Sequence, residues 1–416
     1  MNEHQTAVVG IDIGTTTVRC AIGLIKPEDQ TVSVVGVGEA PNSGFRKGSV
    51  VNITEVVQAV DQAIAHAERM AGAQVTSATI NINGEHIKGL DSRGVIAVSG
   101  HEITDEDIAR AEDAATVLQL PVSHEILNVF PRSYNIDGNS GIKDPIGMSG
   151  TRLEVDAHVV SVSGPVFKNL EKVAETTKTA INRLTVSSLA SAQAVLTREQ
   201  RENGVAVLDI GAATTNLIVV EDGDVQHIAV IGIGGTHVTN DLAIGLRTDL
   251  KVAESVKKNY KYLGKSAKDR PKHIKVVVNR QEYIFPTKDI ELIITARLEE
   301  LFEAVDTQLA KVHRSKKLPG GVTLTGGGAQ LAGIEGIARD TLQLSCRVGT
   351  VSQPEIGGLK EKIARSDYAT VAGLMLLDVH KGENHAYGGN WLDGRFKHSA
   401  DQARSLAKRL FGRFGF

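Results

Sequence analysis

The chain has 416 residues with 46 Lys and Arg against 49 Asp and Glu, a formal charge of −3 that gives no overall sign of a nucleic-acid binder. This length predicts two or more domains, and the single tryptophan gives no stacking platform for bases. Two distant cysteines without a partner motif suit a reducing cytosol and exclude a cysteine metal cluster; no secretion signal or apolar span of transmembrane length is visible, so we expect neither export nor a membrane span.

The first predicted element is a β-hairpin. AVVGIDIGTTTVRCAI, residues 7 to 22, is an apolar strand, Asp-Ile-Gly, hydroxyl residues and a second β-branched strand. A further strand, VSVVGVGEA, and a helical pattern near 54 to 71 follow. From 84 to 163 the texture changes. Thr104 followed by Asp105, Glu106 and Asp107 starts a helix, HEILNVF reads as a strand, and a turn-rich stretch follows, so this segment is predicted to be an inserted subdomain. VAVLDIGAATTNLIVV, residues 205 to 220, repeats the opening hairpin, with VQHIAVIGIG and a helix near 236 to 246 behind it. Two related α/β halves are the simplest account.

Residues 247 to 305 are lysine-rich, with a strand near IKVVVN and a helix through IELIITARLEELFEAVDTQLAKV, and predict a second insertion. VTLTGGGAQLAGI, at 322 to 334, predicts a strand running through glycines into a helix. Residues 380 to 398 have the composition of a linker.

A glycine after aspartate at a strand end lets the backbone turn sharply and leaves amides facing outward, which suits phosphate oxygens. Two such hairpins facing each other would grip a polyphosphate from both sides. Asp12 and Asp209 would then offer hard oxygens to Mg²⁺ through water, and Thr15, Thr16, Thr17, Thr214 and Thr215 would add hydroxyls. A single Asp-x-Gly is an ordinary turn; two copies in matching contexts are not. Gly326, Gly327 and Gly328 allow a flat or phosphorylated group to approach the backbone, and GIGGTHVTNDLA places Gly234 and Gly235 before a helix carrying Asp241.

The last predicted element is amphipathic. Ser399 with Gln402 forms a capping box, and Ala403, Leu406, Ala407, Leu410, Phe411 and Phe414 then share one face at helical spacing. Arg404 and Lys408 flank one edge of that face, and Arg409 and Arg413 the other. This is the pattern of a helix lying in an anionic membrane surface; Gly412 and Gly415 each weaken it by about 1 kcal/mol, so it is expected to fold on lipid.

The order of the pieces carries a resemblance. DIGTTT, TVSSLASAQAVL (185 to 196), LDIGAATTNL, TGGGAQL and YATVAGL (368 to 374) resemble the five-motif signature of the actin, Hsp70 and sugar-kinase ATPase superfamily. The resemblance implies that the first and third motifs are phosphate loops, including Gly14, Gly211 and Ala212. It makes the second and fifth interdomain connectors and the fourth, with Ala329, an adenosine loop. ATP with Mg²⁺ is the implied ligand.

From about residue 5 to the C-terminus the chain resembles the FtsA family of bacterial cell-division proteins, with IKDPIGMSGTRLEVDAHVVSVSG (142 to 164) similar to the subdomain peculiar to that family. AESVKKNY makes Glu254 and Lys257 implied nucleotide contacts, and TARLEEL makes Arg297 the implied contact for the C-terminal peptide of the tubulin-like FtsZ.

The implied division is a first half (1–83), an inserted 1C-like subdomain (84–163), a return with a connector (164–200), a second half (201–246), a 2B-like insertion (247–305), completion of the second half (306–379), a linker (380–398) and a membrane-targeting helix (399–416). The implied role is an ATP-binding polymer that tethers FtsZ filaments to the cytoplasmic face of the membrane at the septum. Self, FtsZ, anionic lipid and other division proteins would be its partners, with no nucleic acid. The connector offers serines and Gln193 but no glutamate, so hydrolysis is expected to be slow at most. A small-molecule kinase would leave the tail unexplained. A pilus-assembly adaptor shares much of the ATPase pattern but not the stretch around Gly147 to Glu154 or the basic tail.

Overall fold

A computed structural model describes residues 6–25, 31–266, 268–351, 353–354 and 356–379; the predicted linker and terminal amphipathic helix lie outside the described residues. The chain opens with strands β1 (Ala7–Ile13), β2 (Thr17–Ile25) and β3 (Val32–Pro41), a small hairpin of β4 (Phe45–Arg46) and β5 (Ser49–Val50), helix α1 (Ile53–Ala71) and strand β6 (Ser77–Ile82). There follow β7 (Lys88–Ala97), α2 (Asp105–Ala115), β8 (His124–Ile136), β9 (Asn139–Ile142) and β10 (Arg152–Ser163), then α3 (Gly164–Thr176), β11 (Ala180–Val186), α4 (Ser187–Val195) and α5 (Arg198–Asn203). The second half runs β12 (Val205–Ile210), β13 (Thr215–Glu221), β14 (Asp224–Ile231), α6 (Gly235–Gly245), α7 (Leu250–Asn259), β15 (His273–Val278), β16 (Gln281–Pro286) and α8 (Thr287–Lys311). It closes with β17 (Val322–Thr325), α9 (Ile334–Leu342), β18 (Cys346–Val348), β19 (Ile356–Gly358), α10 (Lys360–Ile363) and α11 (Ala369–Val379).

Two sheets repeat one plan. In the first, β1, β2 and β3 form an antiparallel meander and β6 joins β1 in parallel; in the second, β12, β13 and β14 form the meander and β17 joins β12 in parallel. The predicted hairpins are thus both present. Strand β12 is buried along its whole length, and its alternate side chains serve two cores. Val205 and Val207 pack with the connector helices α4 and α11 and the first half, while Ala206 and Leu208 pack with α6, α7, α8 and α9. The connectors therefore join the halves through a shared apolar core.

Strands β7, β10, β8 and β9 make a separate four-stranded antiparallel sheet with its own small core under α2. The predicted cap is present, with Thr104 and Asp107 bonding each other's backbone amides. In the second half β15 and β16 form a two-stranded sheet beside α7 and α8. The predicted boundaries at 200 and 305 fall inside helices α5 and α8: the Arg201 N–H bonds to Thr197 O across the first, and α8 carries its buried face across the second. The fourth motif also differs from expectation. Its strand ends at Thr325, Gly326 turns with φ of 81°, and a short 3₁₀ turn at Gly328–Gln330 precedes α9. Among the described residues no helix is long and apolar enough to cross a membrane.

Candidate nucleotide cleft

Asp12 and Asp209 stand one residue before the ends of β1 and β12, where ligands of open α/β sheets collect. Both line one cavity of about 930 Å³ between the halves, a volume in the range of ligand sites. Gly14, Thr15, Thr16 and Thr17 line it from the first hairpin, and Gly211, Ala212 and Thr214 from the second. The turns are closed by Gly14 N–H donating to Thr17 O at 3.1 Å and Gly211 N–H to Thr214 O at 2.9 Å. Gly234, Gly235, Glu254, Lys257 and Gly326, Gly327 and Gly328 complete the predicted nucleotide residues that meet there; Arg297, expected at a peptide contact instead, lines the same cavity.

Two predicted residues stand outside the lining. Thr215 begins β13 on the opposite side of the strand from Thr214, and its hydroxyl donates to Ile233 O at 2.7 Å. Ala329 is packed into the core beneath the glycine turn.

The electrostatics are set by burial. Burial pushes the Asp12 carboxyl up to about 7, with Arg19 opposing and Asp209 adding to the rise. Burial likewise raises Asp209 to about 6, against hydrogen bonds from Asn216 and Thr370. Asp12 Oδ1 accepts from Asn81 Nδ2 at 2.7 Å; Asp209 Oδ2 accepts from Asn216 at 3.3 Å and Thr370 at 3.4 Å. Two buried carboxylates facing a cavity walled by glycine turns are a donor set that fits a hydrated hard cation beside phosphate.

Sequence reasoning missed the residues opposite these acids. Arg19 pairs with Asp12 across the first hairpin and Asn216 with Asp209 across the second, each seven positions after its aspartate. That equal offset was the available signal. Arg19 donates to Asp367 Oδ2 at 2.9 Å and lies over the Tyr368 ring at 5.0 Å, and Arg365 donates to both Asp367 oxygens, at 3.0 and 2.8 Å, sharing Oδ2 with Arg19. Ser187 at the start of α4 and Thr370 in α11 bring both connectors to the cavity wall.

On the far wall Lys257 Nζ donates to Gly235 O at 2.9 Å and Thr239 Oγ1 at 2.8 Å, and pairs with Glu254 at 2.7 Å. Burial lowers the Lys257 pKa from the ordinary lysine value. Arg297 holds Asp241 in a bidentate pair, 2.6 and 3.2 Å, and reaches Glu300 at 2.6 Å. Asp241 on α6 is thus a partner of α8.

A family model described as "Cell division protein FtsA" matches residues 206–373, and one described as "SHS2 domain inserted in FTSA" matches residues 84–161. The chain is 34% identical over 376 residues to a protein named Cell division protein FtsA from Pseudomonas aeruginosa, covering 90% of this chain and 89% of that one. It is likewise 34% identical over 379 residues to the Bacillus subtilis protein of that name (90% and 84%), and 32% over 391 residues to that of Escherichia coli K12 (92% and 91%). Among solved structures it is similar to a PilM-PilN type IV pilus biogenesis complex, with TM-score 0.64, 16% identity and coverage of 89% of this chain and 98% of that one. It is also similar to MreB5 of Spiroplasma citri bound to ADP, with TM-score 0.53, 14% identity and coverage of 89% and 95%. At these identities the likenesses speak for the fold alone, which is that of the actin-like ATPases.

Proposed function

The chain belongs to the FtsA family of cell-division proteins, and from that premise we propose that it is an ATP-binding, polymerising tether between FtsZ filaments and the cytoplasmic face of the membrane at the septum. The observation that carries the nucleotide part is the convergence of two Asp-x-Gly hairpins, one from each half, on a single cavity of about 930 Å³. The MreB5 structure of similar fold is bound to ADP, which supports the same ligand class here.

Asp12 and Asp209 would hold Mg²⁺ through water, and the bound ion would offset charge on the phosphates. The hairpin glycines and Thr15, Thr16, Thr17 and Thr214 would receive phosphate oxygens, Glu254 and Lys257 would be further nucleotide contacts, and Gly326 to Gly328 would serve the adenosine. The connectors bring serine and threonine hydroxyls to the wall but no carboxylate from α4, so the nucleotide acts chiefly as a ligand that closes the cleft and favours assembly. Arg297 is proposed as a contact for the FtsZ peptide; a peptide carboxylate would have to compete with Asp241 and Glu300 for it. Residues 399–416 are proposed as the membrane helix, and a polymer would bind lipid through many such tails at once.

Cosedimentation with anionic vesicles, with and without ATP and Mg²⁺, tests the tether. The intact chain is expected to pellet and a chain ending at His398 to remain in solution. If both stay in solution the membrane reading fails. A type IV pilus biogenesis complex shares the fold at 16% identity, while the family models are those of division proteins. Binding of an FtsZ C-terminal peptide separates the two.

A further inference from the structure

We propose that Asn81 is the positioning residue for the phosphate end of the cleft: one buried amide that fixes both the Asp12 carboxylate on the first hairpin and the Ser187 hydroxyl on connector helix α4. The inference rests on the nucleotide reading above. Asn81 Nδ2 donates to Asp12 Oδ1 at 2.7 Å and to Ser187 Oγ at 2.9 Å, while its Oδ1 accepts from Ile13 N–H at 2.7 Å. The side chain is 2% exposed and stands behind the wall that Asp12 and Ser187 line.

The chemistry allows only this orientation of the amide. Ile13 N–H can only donate, so the carbonyl must face the backbone and the NH₂ must face Asp12 and Ser187, whichever protonation state Asp12 holds. Both amide hydrogens are then committed. Asp12 has one oxygen tied down and the other left for the water shell of a cation. Ser187, having accepted from Asn81, keeps its own proton to donate into the cavity, toward a phosphate oxygen.

The position of Asn81 explains why one side chain reaches both groups. Strand β6 lies between β1 and β11, with Ile80 paired to Ile11 and Asn81 to Thr185, two residues before Ser187. The second half breaks the symmetry here. Its corresponding strand β17 sets Thr325 beside Asp209, and that hydroxyl turns to Leu208 O instead. Asp209 is left with the two longer bonds, 3.3 and 3.4 Å. Asp12 is thus the tightly held ligand, coupled to a connector, and Asp209 the more loosely held one.

The test measures ATP affinity of the full chain with Mg²⁺ and again with EDTA. In Asn81→Ala the Mg²⁺-supported affinity is expected to fall about tenfold, with the EDTA affinity within about twofold of the unaltered chain. Ser187→Ala, which leaves Asp12 held, should lose less of the Mg²⁺-supported part. If Asn81→Ala does not fold, Asn81→Ser, too short to span both partners, is read in the same way. A parallel loss with and without Mg²⁺, or no loss, overturns the assignment, since a merely structural amide would show one or the other. Absence of ATP binding by the unaltered chain overturns the nucleotide reading itself, and this inference with it.

Discussion

His158 Nε2 accepts the Ile228 backbone N–H at 3.0 Å, fastening the four-stranded sheet of the first half to the edge strand of the second. Because Ile228 can only donate there, the neutral ring carries its proton on Nδ1, which donates to Asp91 at 2.9 Å. The approach is close because residue 89 is glycine: a Cβ there would lie 2.4 Å from the Ile228 carbonyl oxygen. Lys143 adds an ion pair to Asp224 at 2.8 Å across the same seam. His158→Ala leaves a buried N–H without this partner and should cost about 1–3 kcal/mol. Denaturant unfolding of the variant checks the loss, and an unchanged midpoint would show that the seam adds nothing.

The same seam predicts acid sensitivity. Burial lowers the pKa of His158, and burial together with His158 pushes His227 down to about 4. An unfolded histidine takes up a proton near pH 6.5, so between 6.5 and about 4 the unfolded chain binds more protons and stability falls with pH. Above 6.5 the contribution is complete. Asp91, held well below the usual carboxylate range by His158 and Arg132, acts only at lower pH. Thermal melts from pH 7.5 to 5 should therefore drop, by up to about 1.4 kcal/mol per pH unit for each such histidine, and less steeply in His227→Gln.

Asp12 carries the opposite sign. Its pKa is raised to about 7, so its contribution to stability is complete below the unfolded value near 3.9 and is lost as pH rises through 7. Asp12→Asn keeps an oxygen to accept from Asn81 and removes the buried charge. The ligand-free variant should gain thermal stability over the unaltered chain at pH 8 more than at pH 6. With ATP and Mg²⁺ added, the stabilisation seen in the unaltered chain should be largely missing. A variant still protected by Mg²⁺ and ATP would remove Asp12 from the proposed metal site.

Both hairpins could be read from the chain because a strand, an aspartate and a glycine are local signals, and their repetition exposed the two halves. What lay beyond reach was register and distance. Arg19 and Asn216 face the aspartates only once each hairpin is closed in register. Asn81 is 69 residues from Asp12 and 106 from Ser187, and a parallel neighbour across such a gap leaves no local pattern. Composition alone assigns Thr215 to the site, although strand alternation turns it away from Thr214. Arg297 was legible as a charged helix position, but its commitment to Asp241 depends on how α6 packs on α8.

Gly373 and Gly336 allow one substitution to be read with opposite signs. Gly373 lies in α11 where it crosses α4, and a Cβ there would fall 1.7 Å from the Ala190 carbonyl oxygen. The two connectors touch through backbone, so a displacement at this crossing shifts one connector against the other. Gly373→Ala must push them apart, at about 1–3 kcal/mol, and should also weaken ATP-dependent stabilisation because the connectors are displaced. Gly336 lies in α9, and a Cβ there would meet no atom within 4 Å, so Gly336→Ala removes only backbone freedom from the unfolded chain. It should stabilise by up to about 1 kcal/mol and leave ATP-dependent stabilisation unchanged. Melts of both variants with and without ATP decide the matter: if the two behave alike, the α4–α11 crossing is not the tight point that couples the halves.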